Sequence, residues 1–386
     1  MASHNPRGER REAGKRLTAL DGLRGVAASV VVIHHVLLAS VPALAAVYFV
    51  GTHPHLSSLE WALVRTPLHI IWAGPEFVIV FFVLSGFVLT LPALSRGLRL
   101  ADYYPRRFVR LYVPVWGAVA VALVLHVVIS HHAIPQASIW LDNHSVGIHL
   151  GSVAHDCTLI FGAGGFDTTS VLWSLRWEVI FSLGLPVVVW LMLRAPAALV
   201  VLGCLAISAA DPTSQWAIYL PPFVVGAALA TQFERIHQIR ASAGATLFLT
   251  AVVVGGLTSN WWLGSSTLAQ HIAPASVTVG AALAVLLPLA SRRTQQILET
   301  SPVQWLGTRS YSLYLVHEPV VVCIAFLLHG RGWLLLLVLS IPAALALTEA
   351  FFRLVERPSH RLSRRVGGFA TKHLPAAFQP TVNASS

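Results

Sequence analysis

The stretch LTALDGLRGVAASVVVIHHVLL sets reactive side chains into an apolar run, with Asp21 and Arg24 at its start and His34 and His35 well inside it. Eleven residues separate Arg24 from His35, close to three full helical turns and roughly 16 Å along a helix axis. The two therefore share a helical face, and His34 is turned from it by about 100°. An imidazole with an ordinary pKa near ~6.5 can take a proton from a hydroxyl close to neutral pH, or accept a transferred group itself. Charged and imidazole groups in lipid cost several kcal/mol unless paired or hydrated, so each is a candidate for function. The plainer account makes His35 a hydrogen-bonded interior histidine and Arg24 an anchor that snorkels to the interface.

Three further groups have useful spacing. Glu178 lies one helical turn beyond Trp173 in WSLRWEVIF, where a carboxylate could orient an imidazole and stabilise its cation; the alternative is an ion pair with Arg176. Arg107 and Arg110 stand three apart in YYPRRFVRLYVP, on one helical face, and paired guanidinium forks suit phosphate. A plain cluster of cytoplasmic positive charge would look the same. Ser310, Tyr314 and His317 in SYSLYLVHEP share a face with Tyr311 beside them, and could line a ligand tunnel or bond helix to helix. Ser85 and Gly86 suit close helix packing.

The segment 131–174 holds His131, His132, His144, His149 and His155 without Lys or Arg, but no spacing there resembles a zinc site and no metal is expected. The three cysteines support no disulfide framework. Trp140, Trp173, Trp261 and Trp262 suit an aromatic belt at the outer interface, or sugar stacking.

The elements that must position these residues follow from composition. Of 386 residues, 55% are hydrophobic and 11% charged, against roughly 25% charged in soluble domains, and the mean hydropathy is +0.70. That excludes a soluble enzyme, a disordered chain and a collagen-like rod. Apolar runs predict an all-α, polytopic transmembrane protein of about ten helices, near 23–45, 75–94, 111–130, 175–193, 196–210, 216–231, 244–258, 273–290, 310–328 and 333–352. With the N-terminus in the cytoplasm, only Arg65, Arg176 and Arg331 of the 26 Lys and Arg fall outside the cytoplasmic segments, so both termini are expected in the cytoplasm. The net charge of +10 thus reflects topology, and nucleic acid is not an expected partner. Residues 1–16 read as a cytoplasmic tail, 17–366 as a single transmembrane domain and 367–386 as a disordered cytoplasmic tail.

Several motifs recur in order: Arg24 and His35 with ten residues between them, FFVLSGFVLT at 81–90, Arg107 with Arg110, WSLRWEVIF at 173–181, SYSLYLVHEP at 310–319 and VERP at 355–358. From Leu17 to Pro358 the chain resembles the integral-membrane acyltransferase type 3 family. Two departures stand out: Val179 follows Glu178 where many members carry a second glutamate, and Ile79–Val80 precede the FF pair where many carry an aspartate, with Glu76 a little upstream. The resemblance implies O-acyl transfer, usually acetyl, from cytoplasmic acyl-CoA to a hydroxyl of a saccharide, glycolipid or glycosylated small molecule, by an enzyme of the cell inner (plasma) membrane in contact with its lipid. It implies acetyl-CoA as donor and no metal. His35 is then the expected base, either deprotonating the acceptor or taking the acyl group, and Glu178 its partner. Arg24, Arg107 and Arg110 are expected at the coenzyme A phosphates, and Ser310, Tyr311, Tyr314 and His317 along the donor path. Many members carry an extracytoplasmic hydrolase-like domain that this chain lacks, so it is expected to act alone or with a separate extracytoplasmic transferase. The rival readings are a secondary transporter or flippase of a glycan, which would bind substrate through the same His and Arg, and a non-catalytic partner subunit.

Overall fold

A computed structural model describes the chain except residues 1–5, 50, 136, 162–164, 237, 265, 330–331, 374–380 and 383–386. It is helical almost throughout. The main helices are α1 (Pro6–Ser40), α2 (Gly74–Arg96), α3 (Leu100–Val128), α4 (Leu172–Arg194), α5 (Ala197–Ala210), α6 (Gln215–Thr231), α7 (Ala243–Leu257), α8 (Thr267–Ala290), α9 (Ser301–Leu327), α10 (Trp333–Phe351) and α11 (Arg357–His373). Helices α1 to α10 fall where the ten apolar runs predict them. Among the described residues seven helices are long and apolar enough to cross a membrane; α5, α6 and α7 are shorter apolar helices, below the ~20 residues a full span needs. The protein is a multi-pass membrane protein.

The segment expected to be a single domain divides into two compact units, each assembled from distant pieces of chain. The first comprises Met1–Ser29, Pro75–Leu91 and Leu191–Ser310. Small residues set its packing: a Cβ on Gly86 would fall on the Phe223 carbonyl, and one on Gly226 on the Val83 carbonyl. Helices α2 and α6 thus meet backbone to backbone, with Phe82 stacked on Phe223 at 4.4 Å. This is the close packing that Ser85 and Gly86 suggest. Caps at Ser242 and Ser266 satisfy the first free N–H groups of α7 and α8.

The second unit comprises Val30–Gly74, Pro92–Trp190 and Tyr311–Ser386. Its core joins Leu111, Val115 and Val119 of α3, Leu172, Leu175 and Val179 of α4, and Leu315 and Val316 of α9. The 131–174 segment folds onto this core: Tyr112 donates to the Thr158 carbonyl at 2.9 Å and Arg176 to that of Leu159 at 2.9 Å. Between α10 and α11 the helix widens into a π turn, Phe352–Glu356. The Glu356 carboxylate accepts from the Ser312 N–H at 3.1 Å and from the Ser312 hydroxyl.

The C-terminal segment differs from the expectation of disorder after residue 366. Helix α11 continues to His373 and Thr381–Val382 pairs antiparallel with Leu98–Arg99; the rest of that tail lies outside the described residues. The reason is packing. Gly367 reads as a helix breaker in sequence, but a Cβ there would collide with the Arg106 and Asp102 side chains, so it lets α11 lie against α3.

Candidate active site

The lower-numbered half of the second unit supplies His34 and His35 from α1, and α9 supplies His317 and Glu318. His317 Nδ1 lies 2.9 Å from the Leu313 carbonyl one turn back, so it carries a proton and donates. In the neutral ring its Nε2 then accepts. His35 Nδ1 lies 3.0 Å from that Nε2 and 3.0 Å from the Val31 carbonyl, both acceptors, so it too carries a proton and shares it between them. The tautomer that satisfies this network leaves the lone pair of His35 on Nε2, the nitrogen free to act as a base.

The surroundings hold that ring in place. His35 is buried and packs against His34, Trp140 and His317, with ring centroids 5.3, 5.4 and 5.0 Å away. His34 faces elsewhere: its Nδ1 donates to the Trp72 carbonyl at 2.9 Å and its ring stacks on Trp72. Trp140 belongs to the short helix Ile139–Asp142, whose N-cap is Ser138. Its carbonyl accepts from His144 Nδ1 at 2.9 Å, and His144 Nε2 reaches Glu318 Oε1 at 2.9 Å. A closed circuit of contacts thus runs from His35 through Trp140, His144 and Glu318 to His317 and back.

Glu318 is 1% exposed and fully committed. Besides His144 it accepts from the Ser170 and Val171 N–H groups at 2.8 and 2.9 Å and from the Thr169 hydroxyl at 3.1 Å. A carboxylate at the N-terminal end of α4 complements the helix dipole and satisfies its free donors. Sequence reasoning passed over Glu318, although an intramembrane carboxylate beside a histidine is itself a signal. It weighed His144 only as a metal ligand. Among the described residues no group of three or more His, Cys, Asp and Glu is placed to hold a metal ion.

The structure gives Glu178 a partner other than the two expected from sequence. Its carboxylate is bonded not to His35 or Arg176 but to Arg107, at 2.6 Å. Arg107 Nε also donates to the Ser182 hydroxyl at 2.8 Å. Arg107 thus bonds both Glu178 and Ser182 within the protein; Arg110 is exposed on the same helix. Arg176 instead contacts the loop, with Nη2 3.0 Å from His155 Nε2.

Of the α9 residues, only His317 joins His35. Ser310 donates to the Gly307 carbonyl within its own helix at 2.9 Å. Tyr311 donates to the Leu111 carbonyl at 3.2 Å, and the Tyr314 hydroxyl lies 2.7 Å from that of Ser174. These bonds fasten α9 to α3 and α4. Arg24 lies on the continuous helix α1, eleven residues before His35.

The first unit contains a cavity of about 520 Å³ whose lining includes Glu76, Tyr219, Asn260, Gln270 and Thr278. Glu76 is buried, and the Trp261 indole N–H donates to its Oε1 at 2.7 Å. Trp261 therefore has a specific polar partner beyond any role in an aromatic belt. The size falls within the ~300–1,000 Å³ of small-molecule sites, and a few polar groups in an apolar wall are their usual chemistry.

The acyltransferase type 3 family model, described as an acyltransferase domain, matches residues 17–352, a stretch that takes in Arg24, His35, Arg107, Glu178 and His317. A comparison with curated proteins returns no match, and neither does one with solved structures. The match covers both units and most of the chain, and the ordered motifs agree with it: this membrane protein belongs to the acyltransferase type 3 family.

Proposed function

We propose that the protein is an O-acyltransferase of the plasma membrane that moves an acyl group, in the first place acetyl, from cytoplasmic acyl-CoA to a hydroxyl of a saccharide, glycolipid or glycosylated small molecule. The observation that carries this reading is the position of His35 Nδ1, 3.0 Å from both the Val31 carbonyl and His317 Nε2; the tautomer that fits it leaves the lone pair on Nε2. An alcohol is a weak nucleophile and needs a base to take its proton as it attacks the thioester carbonyl. His35 Nε2 takes that proton. The C–O bond forms, the C–S bond breaks, and the imidazolium returns its proton to the departing thiolate.

Arg24 and the exposed Arg110 are the candidates for the coenzyme A phosphates. The ~16 Å between Arg24 and His35 along α1 is of the order of an extended coenzyme A arm. Arg107 and Glu178 serve as the ion pair that supports α3 on α4. The hydroxyls of Ser310, Tyr311 and Tyr314 act between and within helices, and His317 acts on His35.

The test is acetyl-CoA turnover by the purified protein in nanodiscs. Free thiol released in step with acetylation of an added glycoside supports the reading. Uptake or release of glycoside by vesicles without acetyl-CoA would instead mark a transporter or flippase.

A further inference from the structure

Helix α11 is amphipathic in an unusual sense. Its inner face, Ser359, Ser363 and Gly367, is buried against α3. At about 100° per residue, Arg357, Arg361, Arg364, Arg365 and Lys372 all fall within an arc of roughly 100° on the opposite side. All five are exposed. No carboxylate pairs with any of them among the described residues. Beside this row lie Leu354, Leu362 and Phe369, exposed by 76%, 45% and 64%.

The contacts of Gly117 with Val355 and of Gly367 with Arg106 fix α11 antiparallel to α3. The arginine row therefore runs abreast of the stretch of α3 that carries Arg106, Arg107 and Arg110. By the positive-inside pattern this is the cytoplasmic boundary of the membrane. Like charges one turn apart on a helix repel, so a row of five cations calls for external negative charge. A cluster of cations on the cytoplasmic continuation of a membrane span, with exposed Leu and Phe beside it, is the arrangement that draws anionic headgroups to the membrane surface.

We infer that the outer face of α11 is a binding surface for anionic phospholipid headgroups of the cytoplasmic leaflet. The inference is independent of the acyl-transfer reading and concerns lipid binding alone. Its source of phosphate is lipid, not soluble nucleotide.

The experiment compares the full chain in nanodiscs of phosphatidylcholine with the same protein in discs containing phosphatidylglycerol. Readouts are the melting midpoint and the phosphatidylglycerol retained through detergent washing. The wild type is expected to melt higher with phosphatidylglycerol and to retain it, with retention falling as salt rises. The variant Arg361→Gln/Arg364→Gln/Arg365→Gln is expected to bind phosphatidylglycerol about a hundredfold more weakly, with an unchanged midpoint in phosphatidylcholine. If that variant fails to fold, Arg361→Gln alone with the wild-type salt titration decides. Equal midpoints in both lipids, or wild-type retention by the variant, would overturn the inference. So would inorganic phosphate at matched ionic strength releasing the retained phosphatidylglycerol from the wild type, because the surface would then serve a soluble phosphate.

Discussion

His35 Nδ1 lies 3.0 Å from His317 Nε2 although 282 residues separate them in the chain. One ring fixes the tautomer of the other, so the two should not be equivalent in activity. His35→Ala should lower acetyl transfer by the ~10²–10⁴ typical of a lost general base. His317→Ala should cost less, because Val31 still holds the Nδ1 proton. His34→Ala, which removes a ring bonded to Trp72, should be the mildest. Turnover of purified variants of matched melting midpoint checks the order. A His35→Ala enzyme with more than about a tenth of wild-type turnover contradicts it.

Arg107 and Arg110 should separate, although they sit three residues apart on α3. Arg107→Ala strands the partly buried Glu178 carboxylate and should destabilise the protein by ~1–3 kcal/mol. The double variant with Glu178→Gln should be no worse than the single one. Arg110→Ala should raise KM for acetyl-CoA more than that for the acceptor. Melting midpoints and donor and acceptor KM values, measured side by side, distinguish the two.

Glu318→Ala removes the acceptor for His144, Thr169, Ser170 and Val171 at once. The expected cost is several kcal/mol, since four buried donors lose their partner. Proteolysis of the 131–174 segment should accelerate in this variant.

His131 lies outside the spanning helices, and burial together with the nearby His126 and His144 pushes its pKa down from 6.5 to about 4. The unfolded chain therefore binds the proton first, and the stability this neutral ring contributes is lost as pH falls from 6.5 towards 4. Because the ring is only half-buried, the effect is limited to ~1–2 kcal/mol. The melting midpoint in detergent should fall across that window, and less so in His131→Gln.

Topology is open to direct labelling. Cysteines placed at Arg99 and at Lys372, both exposed, should be unreactive towards an impermeant reagent outside intact cells and reactive after permeabilisation, as the Lys and Arg distribution requires.

The apolar helices were legible because lipid demands long apolar runs, and these leave an unambiguous trace. So was the need of His35 for partners, since imidazole in an apolar helix must be hydrogen-bonded, and it is, to Val31 and His317. Partner choice was not legible. Glu178 sits two residues from Arg176, yet it bonds Arg107, 71 residues away; local spacing says nothing about which helix lies opposite. His144 was hidden for the same reason, its carboxylate partner lying 174 residues on. The extent of α11 was missed because glycine is read as a breaker, whereas Gly367 is small to admit a neighbour's side chain.

The π turn at Phe352–Glu356 sets the phase between the membrane-spanning part of the last long helix and the part that emerges from it. Helical phase changes by about 100° per residue, so deleting one residue from this turn would wind Ser359, Ser363 and Gly367 away from α3 and bring charged side chains towards it. The small residues and the arginines are each placed for one length of that turn only. Length in this five-residue stretch is therefore under tighter constraint than side-chain identity, and insertions or deletions should be tolerated far less well there than in the segments on either side.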